Sequence, residues 1–194
     1  AKALAKAQAE ARAAMAKNWI AENGVLTGAA DGGAIGSAKN YENFELILDW
    51  KTEGEAEMGI RSIPQIALGG KNSGALTGNM LHDNAAPKAA ANGPQEWNTM
   101  QMKVVSDRVT VVLNGVTTAE NVILENACNR EIPAYAEGQI LLIAGNAPLN
   151  VREMYIRELP ATPRFELSEE EAADGFEVLF DGTSMHKWTG NTTN

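Results

Sequence analysis

The side chains able to move a proton or hold a polar ligand are few and scattered. Two histidines, His82 and His186, and one cysteine, Cys128, are the whole stock of imidazole and thiol. They supply neither the clustered ligands of a transition-metal site nor a cysteine–histidine nucleophile pair, and one cysteine forms no internal disulfide. His82 is followed directly by Asp83, after a Gly- and Asn-rich loop. Such a pair could transfer a proton; neighbours on a strand point to opposite faces, so a plain surface loop is the competing reading. Arg61 can hold a ligand oxygen or cap a sheet edge. Gln65 offers an amide shortly after it. Glu96-Trp97 joins a carboxylate to a ring that is either a core or rim aromatic or a stacking platform for a ligand. The candidate substrate-binding set is therefore Arg61, Gln65, His82, Glu96 and Trp97, with no residue assigned to catalysis.

Two glycine clusters, Asp31-Gly32-Gly33 and Gly69-Gly70 with Asn72-Ser73-Gly74, resemble phosphate loops in composition. Neither precedes a helical pattern, so the amide cradle of a nucleotide site is absent and both are read as turns. No motif calls for a cofactor or a metal. Calcium held by loop Asp and Asn oxygens needs no fixed spacing and is left open.

The elements that must carry these residues are strands. Phe44, Leu46, Leu48 and Trp50 alternate with Glu45, Ile47 and Asp49, the period of a strand with one buried face. Glu22-Asn23-Gly24 between two short apolar runs predicts a tight hairpin, because Asn-Gly tolerates the positive φ such turns require. Ser106-Asp107 and Asn114-Gly115 punctuate residues 97–123 into a three-strand meander. Further strands are expected at 58–62, 64–68, 75–78, 139–144 and 150–159. Many short strands without interleaved helices predict a sandwich of two antiparallel sheets over residues 18–159. Its expected core includes Phe44, Leu46, Leu48, Trp50, Met102, Val104, Val109, Val111, Leu113, Ile140, Leu142 and Ile156. The alanine-rich residues 1–17 predict a surface helix.

Of 194 residues, 25 are acidic and 16 basic, a formal charge of −9. That balance disfavours nucleic acid and anionic membrane surfaces, and no basic run offsets it. No stretch is long and apolar enough to span a bilayer.

After Leu159 the segment Pro160-Ala161-Thr162-Pro163 favours extended backbone, and Ser168 with Glu171 has the spacing of a capping box opening a short helix. Residues 160–174 thus read as a linker. Gly175-Phe176-Glu177-Val178-Leu179-Phe180 then reads as a new strand.

Six segments in order carry a family pattern: W-I-A-E-N-G-V-L from Trp19, Y-E-N-F-E-L-I-L-D-W from Tyr41, G-I-R from Gly59, G-P-Q-E-W-N-T-M from Gly93, D-R-V-T-V-V-L-N-G from Asp107 and V-R-E-M-Y-I-R-E-L from Val151. Together they resemble the 3-keto-disaccharide hydrolase family of bacterial domains. The resemblance implies an all-β, concanavalin A-like jelly-roll β-sandwich, here with a short N-terminal helix. It also implies a carbohydrate partner, a periplasmic or secreted location and cleavage of an oxidised glycoside. A keto group beside the sugar C2 acidifies that hydrogen, so a general base could start an elimination that water completes.

Members of that family open with G-F-x-x-L-F-x-G and a nearby tryptophan. Here that signature falls at Gly175, Phe176, Leu179, Phe180, Asp181, Gly182 and Trp188, which implies that residues 175–194 are the first strand of a second copy. A strand of that kind could dock onto this sandwich as a substitute first strand, or onto a neighbouring chain as a strand-swapped dimer.

The family's acid–base groups have no counterpart. By the same resemblance, Gln65 survives on the strand that usually carries a Glu or Gln, then a Gln two residues on and an Asp at its end, but Ala67 and Gly70 occupy the other two places. Ile143-Ala144-Gly145-Asn146 stands where a Q-x-H-G stretch is expected. The cleft near Gln65, Ala67, Ile143 and Gly145 is therefore expected to be poor in ionisable groups. Two functions compete: a glycosidic-bond-cleaving enzyme, and a copy that binds carbohydrate or shapes a neighbour's cleft without catalysing.

Overall fold

The computed structural model describes residues 17–63, 65–79, 90–129, 131–181 and 187–188. Eleven strands follow in order: β1 Trp19–Glu22, β2 Val25–Gly28, β3 Gly33–Gly36, β4 Phe44–Lys51, β5 Ala56–Gly59, β6 Gln65–Leu68, β7 Asn98–Val105, β8 Arg108–Leu113, β9 Val116–Ile123, β10 Leu141–Ala144 and β11 Leu149–Glu158. They form a seven-stranded sheet, β1-β2-β11-β4-β7-β8-β9, and a four-stranded sheet, β3-β10-β5-β6. Every pairing is antiparallel. The expected jelly-roll sandwich is the fold observed.

Alternation builds the core. Phe44, Leu46, Leu48 and Trp50 from β4 meet Met58, Ile66, Leu68 and Leu142 from the opposite sheet in one buried cluster. The hairpin turns are as read: Asn23 and Gly24 have φ of 52° and 78°, Asn114 and Gly115 of 49° and 82°. Trp19 covers Gly28, its partner across the β1–β2 ladder, where a Cβ would come within 2.7 Å of the indole.

Three elements depart from the expectation. β3 lies where a glycine turn was read; Ile35 is its one inward apolar residue, and a Gly-Ala-Ile-Gly strand carries almost no period-two signal. Residues 75–78 form no strand, only an isolated bridge between Leu76 and Ile66 that covers the outer edge of β6. Ile156 is 36% exposed although the other eleven expected core residues are buried. A bulge between Arg152 and Tyr155 breaks the β11 register, and β2 pairs with β11 only through Val151. Beyond that point β11 has β4 on one side and no described strand on the other.

Arg61 turns out to be a structural residue. It is 1% exposed and sits at the turn between β5 and β6. Its Nε donates to the Glu42 carbonyl at 2.9 Å, its Nη1 to the carbonyls of Ser106 and Tyr135, and its Nη2 to the Glu42 carbonyl and to Asn43 Oδ1. One guanidinium thus ties four segments. Burial pulls it down to about 10, with Glu42 and then Asp107 acting in the opposite sense, so it stays charged at neutral pH. Arg61 and Ser62 both hold positive φ, 50° and 78°, a strain these bonds offset. Gly138 permits the approach, since a Cβ there would lie 2.6 Å from the Arg61 backbone.

The same hub holds the linker. Asn43 accepts from the Ser106 amide at 2.8 Å and donates to the Pro160 carbonyl at 2.8 Å and to Thr162 Oγ1 at 3.0 Å. Glu42 accepts from the Thr162 amide and pairs with Arg164 at 3.1 Å. Helix α1, Glu169–Ala173, opens on the expected Ser168–Glu171 capping box. The Ser168 amide and then its hydroxyl donate to the Glu171 carboxylate and hold that carboxyl below its ordinary range.

The tail does not become a strand. Residues 176–180 pair with neither sheet, and Phe176 and Phe180 are 66% and 50% exposed. Gly175 turns the chain at the end of α1, the Phe176 amide bonds back to the Glu171 carbonyl, and Phe165 donates to the Asp181 carbonyl at 2.7 Å. These contacts fold the segment against its own linker, so the expected docking as a first strand of this sandwich is not seen. Lys17 and Asn18 are helical, while the rest of the helix expected over 1–17 lies outside the described residues.

Replacing Arg61 by Met should lower the unfolding free energy by about 2–5 kcal/mol, because the carbonyls it satisfies lose their donor. Chemical denaturation measures this, and R61K should recover only part of the loss, since an ammonium cannot span the same set.

Candidate functional site

The outward faces of β5, β6 and β10 are fixed by what their inward faces bury. Ala56 and Met58 point into the core, so Glu57 between them points out. Glu57 pairs with Ala67 on β6 and Ile143 on β10, and Ile143 pairs with Ala34 on β3. This row is the floor of a cleft of about 660 Å³, within the ordinary range for a small-molecule site.

The rim is loop. Lys71, Asn72 and Thr77 stand on one side, and Glu55, Gly145 and Asn146 close one end. Asn146 accepts from the Glu55 amide at 2.8 Å, tying the loop after β10 to the entry of β5. Glycine makes that end possible: a Cβ on Gly69, whose φ is 83°, would collide with the Gly54 carbonyl, and one on Gly145 with the Glu55 carbonyl. The loops leaving β6 and β10 therefore close directly onto the β5 entry loop.

Ala67, Ile143 and Gly145, three of the four residues expected around a cleft, line this one, as does Gly70. Its expected poverty in ionisable groups is corrected: Glu55, Glu57 and Lys71 face it. No hydrogen bond or ion pair engages these three side chains among the described residues. The signal for Glu57 was available in the sequence as Ala56-Glu57-Met58, a polar residue between two apolar ones.

The other candidates are dispersed. Gln65 occupies the register position opposite Gly59, two residues before Ala67 on β6. Arg61 is the buried hub. Glu96 accepts from the Gly93 amide at 3.1 Å and closes a local turn. Trp97 lies on the outer face of the seven-stranded sheet, across the sandwich from the cleft, with the Arg152 guanidinium 4.0 Å and the Lys51 ammonium 4.9 Å from its ring centre. Asp49 anchors that arrangement, accepting from Thr99 at 2.7 Å and from Arg152 at 3.2 Å. His82 and Asp83 lie outside the described residues, as does His186. Cys128 is exposed and unpaired with another cysteine. Among the described residues no helix is long and apolar enough to cross a membrane.

Comparison with known proteins gives a family and a fold. The model of the 3-keto-alpha-glucoside-1,2-lyase-like domain matches residues 4–157. Two structures from Parabacteroides distasonis ATCC 8503, each described as a "putative glycosyl hydrolase", superpose with TM-scores of 0.60 and 0.61. The first is 24% identical over 74% of this chain and 91% of its own; the second is 17% identical over 74% and 84%. The carbohydrate binding module CBM66 from Bacillus subtilis is 13% identical over 72% of this chain and 91% of its own, with a TM-score of 0.51. No curated protein matches.

Two substitutions separate the faces of the sandwich. Gly69→Ala should cost about 1–3 kcal/mol of stability and deform the cleft end, read by thermal unfolding. Trp97→Ala should cost about 1 kcal/mol through its lost cation contacts and leave any ligand affinity of the cleft unchanged.

Proposed function

This chain belongs to the 3-keto-alpha-glucoside-1,2-lyase-like domain family, and on that footing we propose that it is a sugar-handling domain that binds a glycoside across the outer face of its four-stranded sheet. The observation that carries the reading is the cleft itself. An apolar floor of Ala67 and Ile143 suits the carbon face of a pyranose, while Glu55, Glu57, Lys71, Asn72 and Asn146 offer acceptors and donors to its hydroxyls. The sandwich shared with the carbohydrate binding module agrees with this at the level of fold.

The proposed role is binding without cleavage by this copy. An elimination beside a keto group needs a base for the C2 proton and an acid for the leaving oxygen. The cleft has carboxylates, but by the family resemblance Ala67, Gly70 and Gly145 stand where a Gln, an Asp and a His are expected, and they offer no side chain for proton transfer. Catalysis in the parent protein is assigned to a second copy, whose opening strand residues 175–194 would form. The exposed aromatics Phe176, Phe180 and Trp188 support a partner of that kind. A periplasmic or secreted location follows from the same reading.

Isothermal titration of the chain with a 3-keto-glucoside should give saturable binding, while an assay of aglycone release from the same compound stays at the uncatalysed rate. Release that saturates with substrate and matches the intact tandem protein would overturn the non-catalytic assignment. Absence of binding to any glycoside would overturn the carbohydrate reading.

A further inference from the structure

We infer that Glu57 makes the cleft charge-selective, so that it accepts neutral or cationic saccharides carrying adjacent free hydroxyls and excludes anionic ones such as uronates and sugar phosphates. The inference rests on the carbohydrate reading above and deepens it.

Glu57 is half-buried at the centre of β5, and its lateral neighbours in the sheet are Ala67 and Ile143. Two residues along β5 is Gly59, where a Cβ would come within 2.9 Å of Leu141. The floor around Glu57 is thus small or apolar in three directions. Among the described residues its oxygens meet no donor, although an ionised carboxylate has room for about four.

A half-buried carboxylate without a protein partner gains most from ligand donors. Two adjacent sugar hydroxyls supply them as charge-assisted O–H···O⁻ bonds, about twice as strong as neutral ones. An anion in the same place meets a fixed like charge in a partly desolvated cleft. Glu55 at the rim adds a second negative charge, and Lys71 supplies one positive charge. The lining carries two carboxylates against one ammonium, and no salt bridge among the described residues neutralises either carboxylate. The chain's overall charge of −9 acts in the same direction.

The test uses three ligands of one shape: methyl α-glucoside, its 6-carboxylate and its 2-amino analogue, each titrated by NMR into the full chain. The amino sugar should bind at least as tightly as the neutral one, and the uronate at least tenfold more weakly. Glu57→Gln, matched in size, should weaken the neutral sugar severalfold and bring the three affinities to within about threefold. Raising the salt concentration should narrow the wild-type gap, a readout that does not depend on the variant folding. Equal wild-type affinities for the three sugars, or a gap that survives in E57Q, would overturn the inference and leave carbohydrate binding standing. Failure of all three to bind would overturn both.

Discussion

The period-two alternation of β5, β6 and β10 is the constraint on which the cleft depends. Each of these strands has four residues, and each is committed on both faces. Met58, Ile66 and Leu142 must enter the core, because the seven-stranded sheet presents Leu46, Leu48 and Met100 to them. The register then leaves Glu57, Ala67 and Ile143 in one row outside. A slip of one residue would bury a carboxylate and expose a methionine, both unfavourable, so the packing of the core also sets the order of groups in the cleft.

Arg61 shows how the remaining architecture is held to that frame. A buried guanidinium is costly by itself, and here the cost is offset by carbonyl acceptors from three segments and an asparagine side chain. Those acceptors lie before β4, at the β7–β8 turn and in the loop before β10. Through Asn43 and Glu42 the network continues into the linker at Pro160, Thr162 and Arg164. The turn that joins β5 to β6 is therefore fixed from outside, and both strands carry the cleft floor. Arg61 supports the sheet beneath the cleft and does not line it.

Much of the fold was legible in the residues. β4, the meander of β7 to β9 and the Asn-Gly hairpins follow from alternation and turn chemistry that act over a few residues. β3 was hidden because two glycines and an alanine leave only Ile35 to report burial. Ile156 misled because a bulge is a register event, set by pairing with β4 and not by the strand's own sequence. Phe176 to Phe180 has the composition of a strand, but a strand needs a partner edge, and α1 with the Gly175 turn directs the segment elsewhere. The cleft was legible by position and not by chemistry: Ala67, Ile143 and Gly145 line it as expected, whereas no motif marks Glu55 or Glu57. Arg61 could not have been distinguished from a ligand-binding arginine, since its acceptors come from segments far apart in the chain.

The two faces of the sandwich offer rival surfaces for a saccharide: the cleft over β5, β6 and β10, and the Trp97–Arg152 stack on the outer face of the larger sheet. The stack already occupies the ring with two cations, whereas the side chains of Glu55, Glu57 and Lys71 in the cleft have no partner among the described residues. Amide chemical-shift mapping on the isotope-labelled chain, titrated with a 3-keto-glucoside, decides between them directly. The account predicts perturbations at Glu57, Ala67, Ile143 and Gly145 with little change at Trp97 and Arg152. Perturbations centred on Trp97 and Arg152, with the β5 and β10 amides unmoved, would contradict it.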